Sequence, residues 1–283
     1  MTTAVERQGA LWGAHATDWA EVQQPTVRPA FYAVLDALGP WRGRTLLDIG
    51  CGAGDFLGLA GELGATVTGL DASAALIDIA RTRCPAGTFR VGDMQHLPLR
   101  DDGFDVVTAF NSLHFAKDPA PTVAEMIRVT RPGGTVVVAT WGPPCECDAI
   151  VYLLDLGSLM PPGSQTALDP TDLNAPRSLL AQAGLIPSAW HEVHCPWEYP
   201  DLDTALRGLL STGPAAQAVH HSGLDLVADT VTASIAPYRQ DDGSYLLSNS
   251  CYYLTAITGE KNTANAAAPV PHESDRPLRR EHR

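Results

Sequence analysis

Between residues 44 and 140 the chain changes hydrophobic period repeatedly, and few folds accept such a pattern. The runs TLLDIG (45–50), TVTGLD (66–71), TFRVGD (88–93), FDVVTAF (104–110) and TVVVATW (135–141) are short and β-rich. Between them DFLGLAGELG (55–64), SAALIDIARTRC (73–84) and PAPTVAEMIRVT (119–130) carry apolar residues at helical spacing. Gly64 closes the first of these helices, Ser73 is placed to cap the second, and RPGG stops the third. Strand–helix alternation of this kind implies βαβ units with right-handed crossovers and a sheet covered on both faces. The expected class is α/β: a Rossmann-like, doubly wound, mostly parallel sheet. Hydrophobic residues make up 45% of the 283, ample for a sizeable core.

The flanks have a different texture. Residues 1–43 form an expected N-terminal helical cap, with VRPAFYAVLDAL (27–38) helical and GPWRG (39–43) as its break. The core is placed at 44–142. Residues 143–176 are rich in proline around one helical island (148–160) and suggest a lid insertion. The rest of the catalytic domain is placed at 177–259. It holds a helix at 179–185, a strand at 188–200, helices at 201–212 and 223–239, and an antiparallel closing strand at 244–258. Residues 260–283 are polar and aperiodic, which predicts a disordered tail.

The most informative stretch is LLDIGCGAGDF (46–56), where apolar residues run into Asp48 and then into Gly50, Gly52 and Gly54. A glycine turn between strand and helix lets a ligand lie against the backbone. A dinucleotide fingerprint would need glycine at 50, 52 and 55, but position 55 is aspartate. Asp48 and Asp55 would oppose a pyrophosphate and welcome a cationic amino acid moiety. That disfavours a nicotinamide-dependent oxidoreductase.

Five landmarks in order now resemble the class I S-adenosylmethionine-dependent methyltransferases: LLDIGCGAG, TGLDAS, VGDMQHLP, FDVVTAFNSLHF and RPGG before a strand. The resemblance covers about 44–142. It implies S-adenosylmethionine as cofactor and S-adenosylhomocysteine as product. It implies Asp71 on the ribose hydroxyls, Asp93 with Met94 at the adenine, and Asp48 supporting the loop and the methionine amino group. Gly50, Cys51, Gly52 and Gly54 would form the loop, Ala72 and Leu76 its adenosine side, and Asn111 with Ser112 the methionine side. WGAHATDWAEVQQP offers Trp12, His15, Trp19 and Gln23 to a helix closing over the cofactor, with Trp19 the cofactor contact.

The expected activity is methyl transfer to an oxygen or nitrogen of a small organic acceptor by in-line displacement. His114 is the candidate base, since imidazole titrates near neutrality. His96 reads as a loop residue. His191 and His194 alternate on one face of an expected strand but lack a third ligand, and Cys145-x-Cys147 lacks a second pair, so no metal is expected. A formal charge of −13 and NSLH in place of paired prolines argue against nucleic acid. No long apolar run or signal peptide is seen, and scattered cysteines fit a cytoplasmic protein. The lid points to a small-molecule acceptor, and the Ala-, Gly- and Arg-rich texture resembles bacterial secondary-metabolite enzymes. The sequence leaves open whether lid and tail support a homodimer. The alternative reading keeps the cofactor fold for a cyclisation, decarboxylation or hydroxylation; a non-catalytic subunit is a further foil.

Overall fold

A computed structural model describes residues 3–164 and 166–259. The expected tail at 260–283 lies outside them. The strands are β1 (Thr45–Ile49), β2 (Thr66–Asp71), β3 (Thr88–Val91), β4 (Phe104–Phe110), β5 (Thr130–Trp141), β6 (His191–His194), β7 (Trp197–Tyr199), β8 (Tyr245–Leu247) and β9 (Ser250–Ile257). Seven of them form one sheet in the order β3-β2-β1-β4-β5-β9-β6. β1 to β5 pair in parallel, and β9 is antiparallel to both β5 and β6. Strand order reverses between β1 and β4, which gathers the carboxyl ends of β1, β2 and β4 around one crevice.

The pleat sends alternate residues to opposite faces. Leu46, Val106 and Val137 face one core with Phe31, Phe56 and Ile77; Leu47, Val107 and Val136 face another with Val123, Met126 and Leu180. The central strand β4 is buried at every position, as expected of a strand covered on both faces. Ser73 caps helix Ala74–Arg83 through its hydroxyl, and Asp118 caps helix Pro119–Val129.

A third cluster lies beyond the sheet. Helix Ile150–Ser158 packs with helices Leu202–Leu210, Gly213–Ser222 and Leu224–Ile235 and with the small β7–β8 sheet. We call this assembly the cap. It divides the chain differently from the sequence expectation. Residues 150–158 belong to the cap, whereas Leu168, Leu179 and Leu180 pack with the sheet. The expected lid at 143–176 is therefore shared between two cores.

Other differences also concern this half. The single strand expected over 188–200 is β6 and β7, which belong to different sheets and are separated by Cys195 and Pro196. The closing strand is likewise β8 and β9, split at Ser248–Asn249. Buried Asn249 accepts the Ala149 N–H and donates to the Leu247 carbonyl, so its amide holds the bend. Helix Gly213–Ser222 lies between the two expected helices, with His220 and His221, expected at a helix end, in its last turn. His191 and His194 stand three residues apart in β6, so they face opposite sides rather than one. His191 stacks on Tyr253 at 4.9 Å.

Candidate active site

The glycines of the turn after β1 serve different neighbours. A Cβ at Gly50 would come within 2.4 Å of Ser112 Cβ, so a bare backbone lets β1 and β4 end side by side. Ser112 Oγ closes that contact by donating to the Ile49 carbonyl at 2.6 Å. A Cβ at Gly52 would lie 2.8 Å from Gln24 Nε2 and 3.2 Å from Trp19 Nε1. Here the N-terminal segment presses onto the loop. Both glycines have left-handed φ, +77 and +55, which an L side chain resists. Gly54 begins helix Asp55–Glu62.

Two carboxyl groups frame this turn. Asp48 is buried at the end of β1 and accepts from Thr108 Oγ1 at 2.6 Å. Burial, with the charge of Asp71 added, pushes its acid up to about 7, although the Thr108 bond opposes the rise. Asp71 ends β2 and accepts the Gly52 N–H at 2.9 Å and the Ser73 N–H at 2.8 Å. Burial raises it, and the backbone N–H groups of Ser73 and Gly52 pull it back. Each Asp71 oxygen uses one of these bonds and keeps another lone pair. Cys51 buries its side chain in the core below the loop.

Residues 16–27 cover the turn. Gln24 donates from Nε2 to the Cys51 carbonyl and accepts the Ala53 N–H, both at 3.2 Å. Arg28 grips Asp55 through two bonds of 2.7 and 2.8 Å. Asp55, the residue that breaks the dinucleotide fingerprint, is thus an anchor for the N-terminal segment. Trp19 Nε1 is buried beside Gly52 without a hydrogen-bond partner. Trp12 packs edge-on to Trp19 at 4.8 Å and to Phe115 at 5.2 Å. Gln23 turns away and accepts from the Tyr199 hydroxyl at 2.7 Å, while His15 is exposed.

The remaining expected residues spread around the same edge. Gly9 of helix Ala4–Gly13 sits so close to Ala72 that a Cβ would meet the Ala72 carbonyl oxygen at 2.1 Å. Leu76 is wholly buried with Ala16, Ala20 and Ala53, a packing position rather than an open wall. Asp93 follows β3; its Oδ1 accepts the Gln95 N–H at 2.9 Å, and Met94 is partly buried. Asn111 follows β4 with left-handed φ of +46, unusual for a side-chain-bearing residue. Both of its amide atoms are buried without a hydrogen-bond partner. His114 lies in the turn Leu113–Phe115, buried, its ring 4.1 Å from that of Phe115. Burial lowers its pKa to about 4, against a smaller opposing effect of Asp169. A water-sized void of about 10 Å³ separates His114, Thr140 and Asp169. Cys145 is exposed and Cys147 buried. Among the described residues no group of three or more His, Cys, Asp or Glu side chains is arranged to hold a metal.

Sequence reading passed over Gln24 and Arg28. Gln24 adjoins the singled-out Gln23, and nothing in a QQP triplet tells which glutamine faces the loop. Arg28 could have been suspected from the carboxylate at position 55, which sits where a charge needs a partner.

Residues 47–138 match a family described as a methyltransferase domain. A demethylmenaquinone methyltransferase of Renibacterium salmoninarum is 37% identical over 111 residues, which are 39% of this chain and 47% of that protein. A malonyl-[acyl-carrier protein] O-methyltransferase of Serratia marcescens is 38% identical over 98 residues, 35% of this chain and 38% of that protein. The chain spans less than half the length of these curated relatives. The solved YcgJ protein of Bacillus subtilis shares the fold, with a TM-score of 0.57 at 19% identity over 82% of this chain and 98% of that one. In strand order, glycine turn and this domain match, residues 47–138 are similar to the class I S-adenosylmethionine-dependent methyltransferases.

Proposed function

We propose that this protein transfers a methyl group from S-adenosylmethionine to an oxygen or nitrogen of a small organic acceptor. The observation that carries the reading is the glycine turn, framed by Asp48 and Asp71 and roofed by a buried indole N–H without a partner. The residues present fit the cofactor. Two acidic groups suit its cationic ammonium and sulfonium. Gly50 and Gly52 leave backbone where a side chain would intrude, and Trp19 Nε1 and the Asn111 amide offer unused hydrogen bonds. Asp48 and Asp71 at the turn would oppose the pyrophosphate of a dinucleotide.

In this reading Asp71 turns its free lone pairs to the ribose hydroxyls, while the Gly52 and Ser73 N–H groups fix its carboxylate. Asp93, Met94 and Ala72 border the adenosine side, and Leu76 packs behind them. Asp48, Trp19, Cys51 and Ser112 shape the methionine side, with Asn111 nearest the acceptor. When bound, the cofactor supplies a sulfonium methyl carbon open to in-line attack, so no metal is needed. Burial keeps His114 neutral by disfavouring its charged form, which also makes it a weak base, so proximity and orientation carry the transfer. The N-terminal segment excludes water from the loop side. The names of the relatives specify different acceptors, a demethylmenaquinone and a malonyl carrier protein, so the domain match favours no particular one. The six free cysteines favour a reducing, cytoplasmic setting. No helix among the described residues is long and apolar enough to cross a membrane.

Calorimetric titration with S-adenosylmethionine, S-adenosylhomocysteine and NAD tests the reading. Micromolar binding of the first two and none of NAD is expected. Binding of NAD alone would overturn it.

A further inference from the structure

His114 is only 6% exposed, yet among the described residues no protein group hydrogen-bonds its imidazole. A buried ring nitrogen without a partner is a cost that native interiors rarely carry without a reason. Phe115 packs on the ring at 4.1 Å. Beside the ring lies the void of about 10 Å³, closed by Leu113, Val138 and Leu168 and edged by His114, Thr140 and Asp169.

That void has the size and the chemistry for one water molecule. About 10–15 Å³ admits one, and a buried water makes about three hydrogen bonds. Three polar groups are present, and their free positions are complementary. Thr140 Oγ1 gives its proton to the Pro170 carbonyl, so it has only lone pairs left to offer. Thr171 occupies Asp169 Oδ1 through its N–H at 2.8 Å and its hydroxyl at 2.7 Å, which leaves Oδ2 to accept. A neutral imidazole has one N–H to donate. A water at this place accepts from the ring and donates its own two protons to Thr140 and Asp169.

We propose that this void binds one structural water, and that Asp169 acts through it as the positioning residue of His114. The part His114 plays beside an acceptor rests on the methyl-transfer reading; the water site does not. A neutral imidazole carries one N–H and one bare nitrogen, and the partner of the first decides which is which. Water and carboxylate together hold the N–H on the side of the void and leave the opposite nitrogen bare. The segment that carries Asp169 is itself fixed. Pro170 is tied to β5 through Thr140, and the Leu173 carbonyl accepts from Trp190 Nε1 at 3.2 Å. The stretch that covers His114 therefore also supplies the group that orients it.

NMR on the full chain with 15N-labelled histidine tests this, the His114 signals being assigned by their loss in His114→Gln. A single neutral tautomer is expected, with magnetisation passing from its N–H to a long-lived water. In Asp169→Ala the water loses its anionic acceptor, and the two tautomers should mix. Asp169→Asn keeps an oxygen acceptor and should restore the single tautomer. Asp169 is exposed, so both variants should fold. A role confined to holding the segment would change stability without moving the tautomer. Should Asp169→Ala fold poorly, a crystal structure of the unaltered chain gives a second readout: one water within hydrogen-bond reach of His114, Thr140 and Asp169. Mixed tautomers in the unaltered chain, a tautomer that Asp169→Ala leaves unchanged or Asp169→Asn fails to restore, or a dry void would each overturn the proposal. Failure of S-adenosylhomocysteine to bind would instead count against methyl transfer and leave these results standing.

Discussion

The two halves of this molecule solve the problem of buried polarity in opposite ways. The turn after β1 concentrates it: two acidic side chains, backbone N–H groups and the Gln24 amide meet within a few residues, and most of these groups are paired. The cap avoids it: aromatic and aliphatic side chains fill the space, relieved by isolated contacts such as Tyr199 to Gln23. The first arrangement suits a ligand of fixed, charged structure. The second suits one that is recognised by shape and area. The family match ends at residue 138, before the cap begins.

The comparison is broken most severely at Gly50. Gly50→Ala puts a Cβ 2.4 Å from Ser112 Cβ and forces a side-chain-bearing residue to φ of +77. Positive-φ strain and overpacking together should cost about 2–5 kcal/mol of stability and abolish cofactor binding. Thermal unfolding and calorimetry would show both. A comparable alanine at Gly157 in the cap helix, where a Cβ meets nothing within 4 Å, should be tolerated. If both variants behave alike, the glycine turn is not the constrained element described above.

Asp48 sharpens the comparison through pH. Its acid stands at about 7 in the folded protein, well above its unfolded value of 3.8. Between these values the folded state holds a proton that the unfolded state has released. Stability therefore falls as pH rises from about 4 to about 7 and levels off above. Asp48→Asn removes that slope and should leave the unliganded protein about 2–4 kcal/mol more stable than the parent at pH 8. Affinity for the cationic cofactor moves the other way. In the parent it should rise as pH passes through 7 and Asp48 ionises, and in Asp48→Asn it should stay flat. Parallel denaturation and binding series between pH 5 and 8.5 would decide; a parent without either slope would refute the buried-acid description.

Asp71→Ala should weaken the cofactor by about 2–3 kcal/mol, the value of charge-assisted bonds to two hydroxyls. The loss also frees the Gly52 and Ser73 N–H groups, so part of the effect is disorder of the loop. Asp71→Asn separates the two, because its amide oxygen can accept one N–H. Calorimetry giving unchanged affinity for both variants would remove Asp71 from the site.

How much of this was legible in the sequence follows the same division. The core strands alternate with helices whose caps, Ser73 and Asp118, are local signals, and the glycine turn is defined by neighbours in sequence as much as in space. Such features are written in order along the chain. The cap is not. Whether 188–200 is one strand or two depends on Cys195 turning to bond Asn249, a residue more than fifty positions away. Whether Leu76 lines a pocket or fills a core depends on Ala16 and Ala20 of a distant segment. The difference between Gln23 and Gln24 depends on which side of a π-helical turn each one leaves. Periodicity reports the face that is buried, but not the partner that buries it.

The smallest effect probes a buried polar bond that ties the two halves together. Tyr199 Oη donates to Gln23 Oε1 at 2.7 Å, linking β7 of the cap to the segment that roofs the glycine turn. Both residues are buried, 2% exposed each, so Tyr199→Phe leaves the glutamine oxygen without its donor. The expected cost is about 1–2 kcal/mol of stability, since the ring stays and only the hydroxyl goes. The contacts of Gln24 and Trp19 with the glycine turn are untouched by the change, yet their segment loses one of its moorings. Arg28–Asp55 and the Arg207 pairs with Asp18 and Glu21 remain. Binding of S-adenosylhomocysteine should therefore weaken by no more than about threefold, less than a single neutral hydrogen bond is worth. A much larger loss of affinity at unchanged stability would mean that the apolar cap governs the charged turn through this bond, and the two halves would have to be treated as one cooperative unit.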